Sequence, residues 1–379
     1  MITMQTAYTT EIDEVDAAVE AILSRLDLGA LKKNSVGILN VCPDFIDCGI
    51  VRALCARLPF DVVGMTTMAV ACKEGHSMYG LCLTVLSGDD VAFATAITRP
   101  LTRGNYEEEI DSAYNRTRDV LPGDPAFIIS FLPYMRDVNG AELVKSLSAA
   151  CNDIPVWGSM SIGLDMSFEQ CRIIHNGEAE QFALAVLLVY GPVEPDFIVT
   201  SLPERNIRES RGMITESDGY TVKSVNGMPI LSYFADIGIT LHLSVPLMVY
   251  YEGASKPVTL GIFAVDDDGN ALCGGYIPEG AYIAVGVLDP EGIMETAKES
   301  VNKLLRSGRK NGILMYPCVS RYLMLAPNQD SEIQCVSAML GDGAPYMLGY
   351  SGGEVCPVRN ADGKWRNCFH NYTFSVCVF

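Results

Sequence analysis

A cysteine and an arginine follow one of the apolar segments near the carboxyl end of the chain. The segment covers residues 312–317, and Cys318 and Arg321 come directly after it. An arginine just beyond a strand end suits the binding of a carboxylate or phosphate, because its planar guanidinium gives two parallel hydrogen bonds. The same charge would lower the pKa of a nearby thiol and so activate it. The alternative is a structural ion pair with one of the 46 acidic residues.

A second group of polar residues follows the next apolar segment. Ser351 is the serine of a Gly-x-Ser-x-Gly pattern at 349–353, and Glu354 comes directly after it. A nucleophile elbow needs a helix after this serine, whereas residues 354–363 predict a loop and a turn. A glycine-rich loop that a ligand or another backbone approaches closely is therefore favoured. Arg321 and Glu354 at neighbouring strand ends would suit a zwitterion such as an amino acid.

The last apolar strand, predicted over residues 369–379, contains His370 and Asn371. A single histidine is more often a hydrogen-bonded structural residue than a catalytic one. Because His370 follows Ser351 in the chain, a serine-dependent enzyme stays open as an alternative. A cysteine-dependent enzyme that uses Cys318 stays open as well.

No local motif points to a metal or a cofactor. The thirteen cysteines occur singly, without a Cys-x-x-Cys pair, and there are only four histidines, so no zinc spacing arises. Neither of the common glycine-rich nucleotide loops is present. Residues 266–270 resemble a calcium loop but lack its closing glutamate, and they predict a hairpin turn. We expect no cofactor and no metal, and we expect most cysteines to be buried and reduced.

The composition excludes some classes of partner. The chain has 379 residues, of which 49% are hydrophobic, and a net charge of −19. Such an acidic protein does not favour nucleic acid or anionic membranes. Its longest apolar run, residues 182–190, is far shorter than the about 20 residues that span a bilayer. The first residues do not resemble a signal peptide, and we expect a cytoplasmic protein.

The apolar periodicity predicts strands alternating with helices, together with hairpins at 79–98 and around Asn176. Residues 127–190 and 312–379 repeat one order of elements, and residues 36–69 echo it more weakly. We therefore predict an α+β fold of mixed, largely antiparallel sheets with flanking helices, built from internally duplicated strand–helix–strand–hairpin units. Prolines and polar residues after 191 predict two parts, 1–200 and 201–379.

Several segments, in the following order, resemble the FIST sensory family, in a stand-alone bacterial form. The amino-terminal part of that family is matched by VVGMTTMA from Val62 and by the glycine at 158 with the hairpin at 176–177. The bridge is matched by VKSVNGMPILSYFADIGI from Val222. The carboxyl-terminal part is matched by Cys318 with Arg321, by YMLGYSGGEVCP and by HNYT. GMTTMA and SMSIG depart from the usual family pattern.

The resemblance implies a small-molecule sensor for amino acids or their derivatives, which signals through a separate protein or through a homo-oligomer. It implies ligand binding without catalytic residues of its own. Besides the two enzyme alternatives, a protein-binding scaffold is a third interpretation. The expected ligand-binding residues are Cys318, Arg321, Ser351, Glu354, His370 and Asn371.

Overall fold

The computed structural model describes residues 1–242, 244–252, 257–309, 311–360 and 362–379. It confirms the α+β class, with mixed sheets and helices packed against them. The weak echo at residues 36–69 is a complete unit, so the chain contains three copies of one αβ unit. Each copy contains an edge strand, a helix, two parallel strands joined by helix, two short strands and a final antiparallel strand.

The first two copies are continuous in the chain. The first comprises β1 (Thr3–Thr9), α1 (Val15–Leu23), β2 (Asn34–Val41), α2 (Asp44–Asp47), α3 (Ile50–Cys55), β3 (Val62–Thr66), β4 (Val70–Cys72), β5 (Gly75–Ser77) and β6 (Leu81–Gly88). The second comprises β7 (Ala92–Ile97), α4 (Tyr106–Arg118), β8 (Phe127–Leu132), α5 (Gly140–Ala150), β9 (Val156–Met160), β10 (Ile173–His175), β11 (Glu178–Glu180) and β12 (Ala185–Tyr190).

The third copy is interrupted by an insert of residues 201–289. The copy starts with β13 (Asp196–Thr200). The insert then contributes β14 (Ile207–Ser217), β15 (Gly219–Val225), β16 (Met228–Pro229), α6 (Ile230–Asp236), β17 (Leu247–Tyr250), β18 (Val258–Leu260), β19 (Ile262–Val265), β20 (Ala271–Ile277) and β21 (Tyr282–Gly286). The copy resumes with α7 (Pro290–Ser307), β22 (Ile313–Pro317), α8 (Val319–Met324), α9 (Ser331–Leu340), β23 (Tyr346–Gly349), β24 (Glu354–Arg359), β25 (Trp365–His370) and β26 (Phe374–Val378).

The three copies exchange their short strands in a cycle. β4 pairs with β23, β10 with β3, and β24 with β9, so each copy completes the sheet of another. Each resulting six-stranded sheet contains one parallel pair, namely β2–β3, β8–β9 or β22–β23. One central hydrophobic core contains residues of all three sheets, such as Val36, Phe127 and Leu314. Helices cover the outer faces, which explains why the parallel strands are continuously apolar.

The loops that come after the parallel strands close a ring of backbone hydrogen bonds. Met68 N–H donates to Tyr350, Ile162 N–H to Thr66, and Gly352 N–H to Met160. The three copies therefore meet at their strand ends, and positions in one copy have equivalents in the others. The proposed division at residue 200 stays a prediction. The two parts are in contact, because β13 of the first pairs with β26 of the second.

One predicted hairpin is confirmed and one is wrong. β10 and β11 form the expected hairpin, with Asn176 and Gly177 at positive φ. Residues 79–98 do not form one, because β6 lies between β1 and β2 whereas β7 pairs with β12 of another sheet. Both edges of β6 are already occupied, so the chain crosses to the next copy after Gly88.

The insert folds into a small barrel. Its strand order is β18-β17-β21-β14-β15-β20-β19, and only Gly261 separates β18 from β19 in the chain. The first and last strands of this order are thus parts of one bent strand, which closes the sheet. A separate hydrophobic cluster, including Val222, Phe234 and Ile283, fills the interior.

Candidate functional site

A cleft of about 860 Å³ lies between the barrel and the carboxyl ends of β8, β9 and β22. The barrel contributes residues of β15, β19 and β20, and the body contributes the loops after the three strands and the region around Asn371. Crevices beyond the carboxyl ends of parallel strands are common ligand sites in αβ folds. Asn371 also joins the two sides, because its N–H donates to Thr259 and its Oδ1 accepts from Gly261 N–H at 3.0 Å.

The walls of the cleft are mainly apolar and aromatic. On the barrel side, Phe263 is 61% exposed, which is unusual for a phenylalanine and leaves its ring free for contact. On the body side, Phe369 and Tyr372 line the cleft. The rings of Tyr134 and Phe168 stack with their centroids 3.9 Å apart at one end of it.

Four charged side chains lie along the loop after β8 and beside it. Arg103 pairs with Glu142, with its Nη1 2.6 Å from Oε1. Arg136 and Asp137 are exposed and line the cleft. Neither makes a side-chain hydrogen bond or an ion pair within the described ranges. These two charges are therefore available to a ligand that carries a carboxylate and an ammonium group.

A buried polar cluster lies behind the third-copy wall. Ser351 Oγ donates to Glu354 Oε1 at 3.0 Å, and Thr373 Oγ1 donates to Glu354 Oε2 at 2.7 Å. Cys318 and Ser351 form a backbone bridge, and both side chains are buried. Of these residues, only Cys318 lines the cleft. The structure thus brings Cys318, Ser351 and Glu354 together, whereas Arg321, which was expected to lie beside Glu354, pairs with Glu332 instead.

Burial controls the protonation of this cluster. Loss of solvation raises the pKa of Glu354 to about 8, although hydrogen bonds from Thr373 and Ser351 oppose the shift. Burial also raises the pKa of the Cys318 thiol to about 12, with a further contribution from the Glu354 charge. A thiol with so high a pKa is mostly protonated at neutral pH, which is the opposite of the activation that a cysteine nucleophile requires.

Arg321 lies away from the cleft and is completely buried. Its Nε donates to Glu332 Oε1 at 3.0 Å, and its Nη2 donates to Ile293 O and to Thr296 Oγ1. Tyr350 donates to the second oxygen of Glu332 at 2.8 Å. These contacts attach α8 to α7 and α9, and they favour a structural role for the arginine.

His370 and Asn371 point to different surroundings. His370 Nε2 is 3.2 Å from the backbone oxygen of Cys356, and burial lowers its pKa to about 4, so the ring is neutral. Ser351 hydrogen-bonds to Glu354 and to Pro317, and no hydrogen bond joins it to His370. Asn371 does line the cleft. Of the six expected residues, the structure places Cys318 and Asn371 on the wall of the cleft.

The sequence interpretation missed Arg136 and Asp137, although a signal was present. Ser161 N–H donates to Leu132 O, and Ser351 N–H donates to Pro317 O, so the two strand ends are equivalent. Counting onward from them, Arg136 occupies in the second copy the place of Arg321 in the third. The repeat therefore provides a signal for Arg136, because this residue is equivalent to the Arg321 that the sequence analysis singled out.

Neither a metal site nor a membrane-spanning helix occurs among the described residues. No group of three or more His, Cys, Asp or Glu side chains there is arranged to hold a metal ion. Within the same residues, every helix is too short or too polar to cross a bilayer.

Comparison with known proteins gives two family matches. The model of the FIST N domain matches residues 35–228, and that of the FIST C domain matches residues 235–357. No curated protein matches the chain. Two solved structures align over 100% of this chain and 99% of their own, at 8% and 9% identity and TM-scores of 0.36 and 0.37. One is a cyanuric acid hydrolase described as an evolutionary innovation by structural concatenation, and the other is the cyanuric acid hydrolase of A. caulinodans. Likeness at this level says nothing about function.

Proposed function

This chain belongs to the FIST family, and from that premise we propose that it is a sensor that binds an amino acid or an amino-acid derivative in the cleft. The observation that carries the proposal is the pair Arg136 and Asp137, which have no partners within the described ranges and lie beside an aromatic cavity of about 860 Å³. In this arrangement Arg136 holds the ligand carboxylate and Asp137 its ammonium group. An apolar side chain then contacts Phe263 and Phe369.

The position of the cleft between two folded bodies supports a sensory role. A ligand that contacts both walls binds most tightly when they are close, and so favours one relative placement of barrel and body. Asn371 is well placed to respond, because it lines the cleft and also holds the bend at Gly261. The altered surface would then act on a separate signalling protein or on a second copy of this chain.

The enzyme interpretation has weaker support. The Cys318 thiol is buried with a raised pKa, and the hydroxyl of Ser351 is engaged by Glu354 rather than by His370. An amino-acid sensor needs neither group to react. Cys318 and Asn371 then contribute to the wall that a ligand touches.

Calorimetric titration with leucine and phenylalanine tests the proposal through the variant Arg136→Gln. A hydrogen bond to a charged group contributes about 1.5–3 kcal/mol, so the substitution is expected to weaken binding about ten- to a hundredfold. The matched control is Arg306→Gln, an exposed arginine on α7 that does not line the cleft. Unchanged binding by the Arg136 variant, or equal loss in the control, would refute the role given to the cleft.

A further inference from the structure

A second cavity, of about 660 Å³, adjoins the cleft. The two share six lining residues, including Tyr134, Arg136, Asp137 and Phe168. The stacked rings of Tyr134 and Phe168 therefore form part of a common wall. Arg136 is accessible from both sides, so a ligand bound to it has two directions in which to extend.

The combined space is larger than a single amino acid requires. Ligand sites typically measure about 300–1,000 Å³ and enclose most of the surface of a drug-sized molecule. The cleft alone lies near the upper end of that range, at about 860 Å³. A free amino acid would leave most of this volume, and all of the outer cavity, to water.

The lining of the outer cavity differs in chemistry from that of the cleft. Its charged residue beyond the shared set is Glu169, which is exposed and whose carboxylate has no hydrogen bond or ion pair to the described residues. Thr102 and Gln181 add polar groups, and Phe182 is 43% exposed. This combination suits an ammonium group, peptide groups that need hydrogen bonds, and one apolar side chain.

We infer that the ligand is a short peptide of two or three residues, held across both cavities. This inference rests on the proposed function of the cleft. The carboxyl-terminal residue occupies the cleft, with its carboxylate on Arg136 and its apolar side chain against Phe263. The chain then leaves through the amino group, passes the Tyr134–Phe168 stack, and places its terminal ammonium beside Glu169.

Calorimetric titration with phenylalanine, alanyl-phenylalanine and the reversed dipeptide phenylalanyl-alanine tests the inference. Alanyl-phenylalanine is expected to bind at least tenfold more tightly than phenylalanine, and the reversed dipeptide more weakly than alanyl-phenylalanine. Glu169→Gln is expected to weaken the binding of alanyl-phenylalanine about fivefold or more and to leave the binding of phenylalanine unchanged. Glu180→Gln is the matched control, since Glu180 is exposed on β11 and lines neither cavity.

The outcomes separate this inference from the proposed function. Suppose that phenylalanine binds, that its binding depends on Arg136, and that alanyl-phenylalanine binds no more tightly. The peptide inference is then wrong and the amino-acid sensor stands. An unchanged peptide affinity in the Glu169 variant overturns the inference in the same way. If none of the three probes binds, both the inference and the proposed function fail.

Discussion

Replacing Arg321 separates a structural from a ligand-binding role for this residue. Arg321 and Glu332 are both 0% exposed, and the bonded carboxylate oxygen receives two of the guanidinium hydrogen bonds. Removing one partner of a buried ion pair leaves an uncompensated charge and costs about 3–5 kcal/mol. We therefore expect Arg321→Met to lower the free energy of unfolding by that amount.

The effect on the melting temperature depends on the size of the chain. The entropy of unfolding is about 2.1 cal/mol/K per residue, or roughly 0.8 kcal/mol/K for 379 residues that unfold together. A loss of about 3–5 kcal/mol then lowers Tm by about 4–6 °C. Thermal unfolding followed by circular dichroism measures the shift, and titration with phenylalanine measures binding in the same variant.

Two further variants control this experiment. Combining Arg321→Met with Glu332→Gln removes both charges and keeps an oxygen for the Tyr350 hydroxyl, so it is expected to recover at least half of the lost stability. Arg52→Met breaks an ion pair whose side chains are 73% and 69% exposed, and is expected to cost less than about 1 kcal/mol. The sequence resemblance implies the opposite result, in which Arg321→Met abolishes ligand binding and leaves Tm unchanged. That result would refute the structural role.

The buried titratable groups give two more predictions. Because burial raises the pKa of Glu354 to about 8, the folded protein keeps a proton that the unfolded chain releases above its ordinary pKa of 4.5. The free energy of unfolding should therefore fall by up to about 1.4 kcal/mol per pH unit between about pH 5 and 8. Glu354→Gln should flatten this slope, which Tm measured at three pH values in that range will show. An equally steep fall of Tm in the variant would contradict the prediction. Cys48 is exposed, whereas Cys318 is buried and has a pKa of about 12. Brief treatment with iodoacetamide should therefore label Cys48 and spare Cys318, as peptide mass spectrometry would show. Rapid labelling of Cys318 would restore the cysteine-enzyme interpretation.

The elements that the sequence predicts best are those whose signal is local. The run FIISFL of β8 is fully buried, as its β-branched and aromatic residues indicate. α7 begins at Pro290 after the capping Asp289 and ends before Gly308 in the left-handed region. The turn at Asp266 forms as expected, with its carboxylate accepting from Asp268 and Asn270 N–H. Each of these structures is determined by a few neighbouring residues.

The features that the sequence does not predict depend on distant parts of the chain. The exchange of β4, β10 and β24 between copies is set by which sheet edges stay open after the parallel pairs form. The hairpin predicted at 79–98 fails for the same reason. The cleft itself needs the barrel to lie against the strand ends, and apolar periodicity carries no information on that placement.

The difference between Arg136 and Arg321 depends on the backbone conformation after each strand. In the third copy α8 begins at Val319, so its first turn directs Arg321 inward to Glu332. In the second copy the chain stays irregular until α5 begins at Gly140, and Arg136 remains exposed on that loop. The equivalent position of the first copy is the fully buried Phe45. One structural position thus serves as core, as ion pair and as candidate ligand contact.

The insert explains why the candidate ligand site lies on one side of a body built from three copies. The three copies meet in a ring of equivalent backbone hydrogen bonds, which alone would provide three similar strand ends. The barrel interrupts only the third copy, between β13 and α7, and lies over the strand ends of the second and third. Its exposed Phe263 lines the same cleft as Phe369 and Arg136 of the body. We therefore expect ligand binding to change the position of the barrel relative to the body. A change in the barrel that the ligand causes in the unmodified protein, and that is absent when Arg136 is replaced, would link the site to the signal.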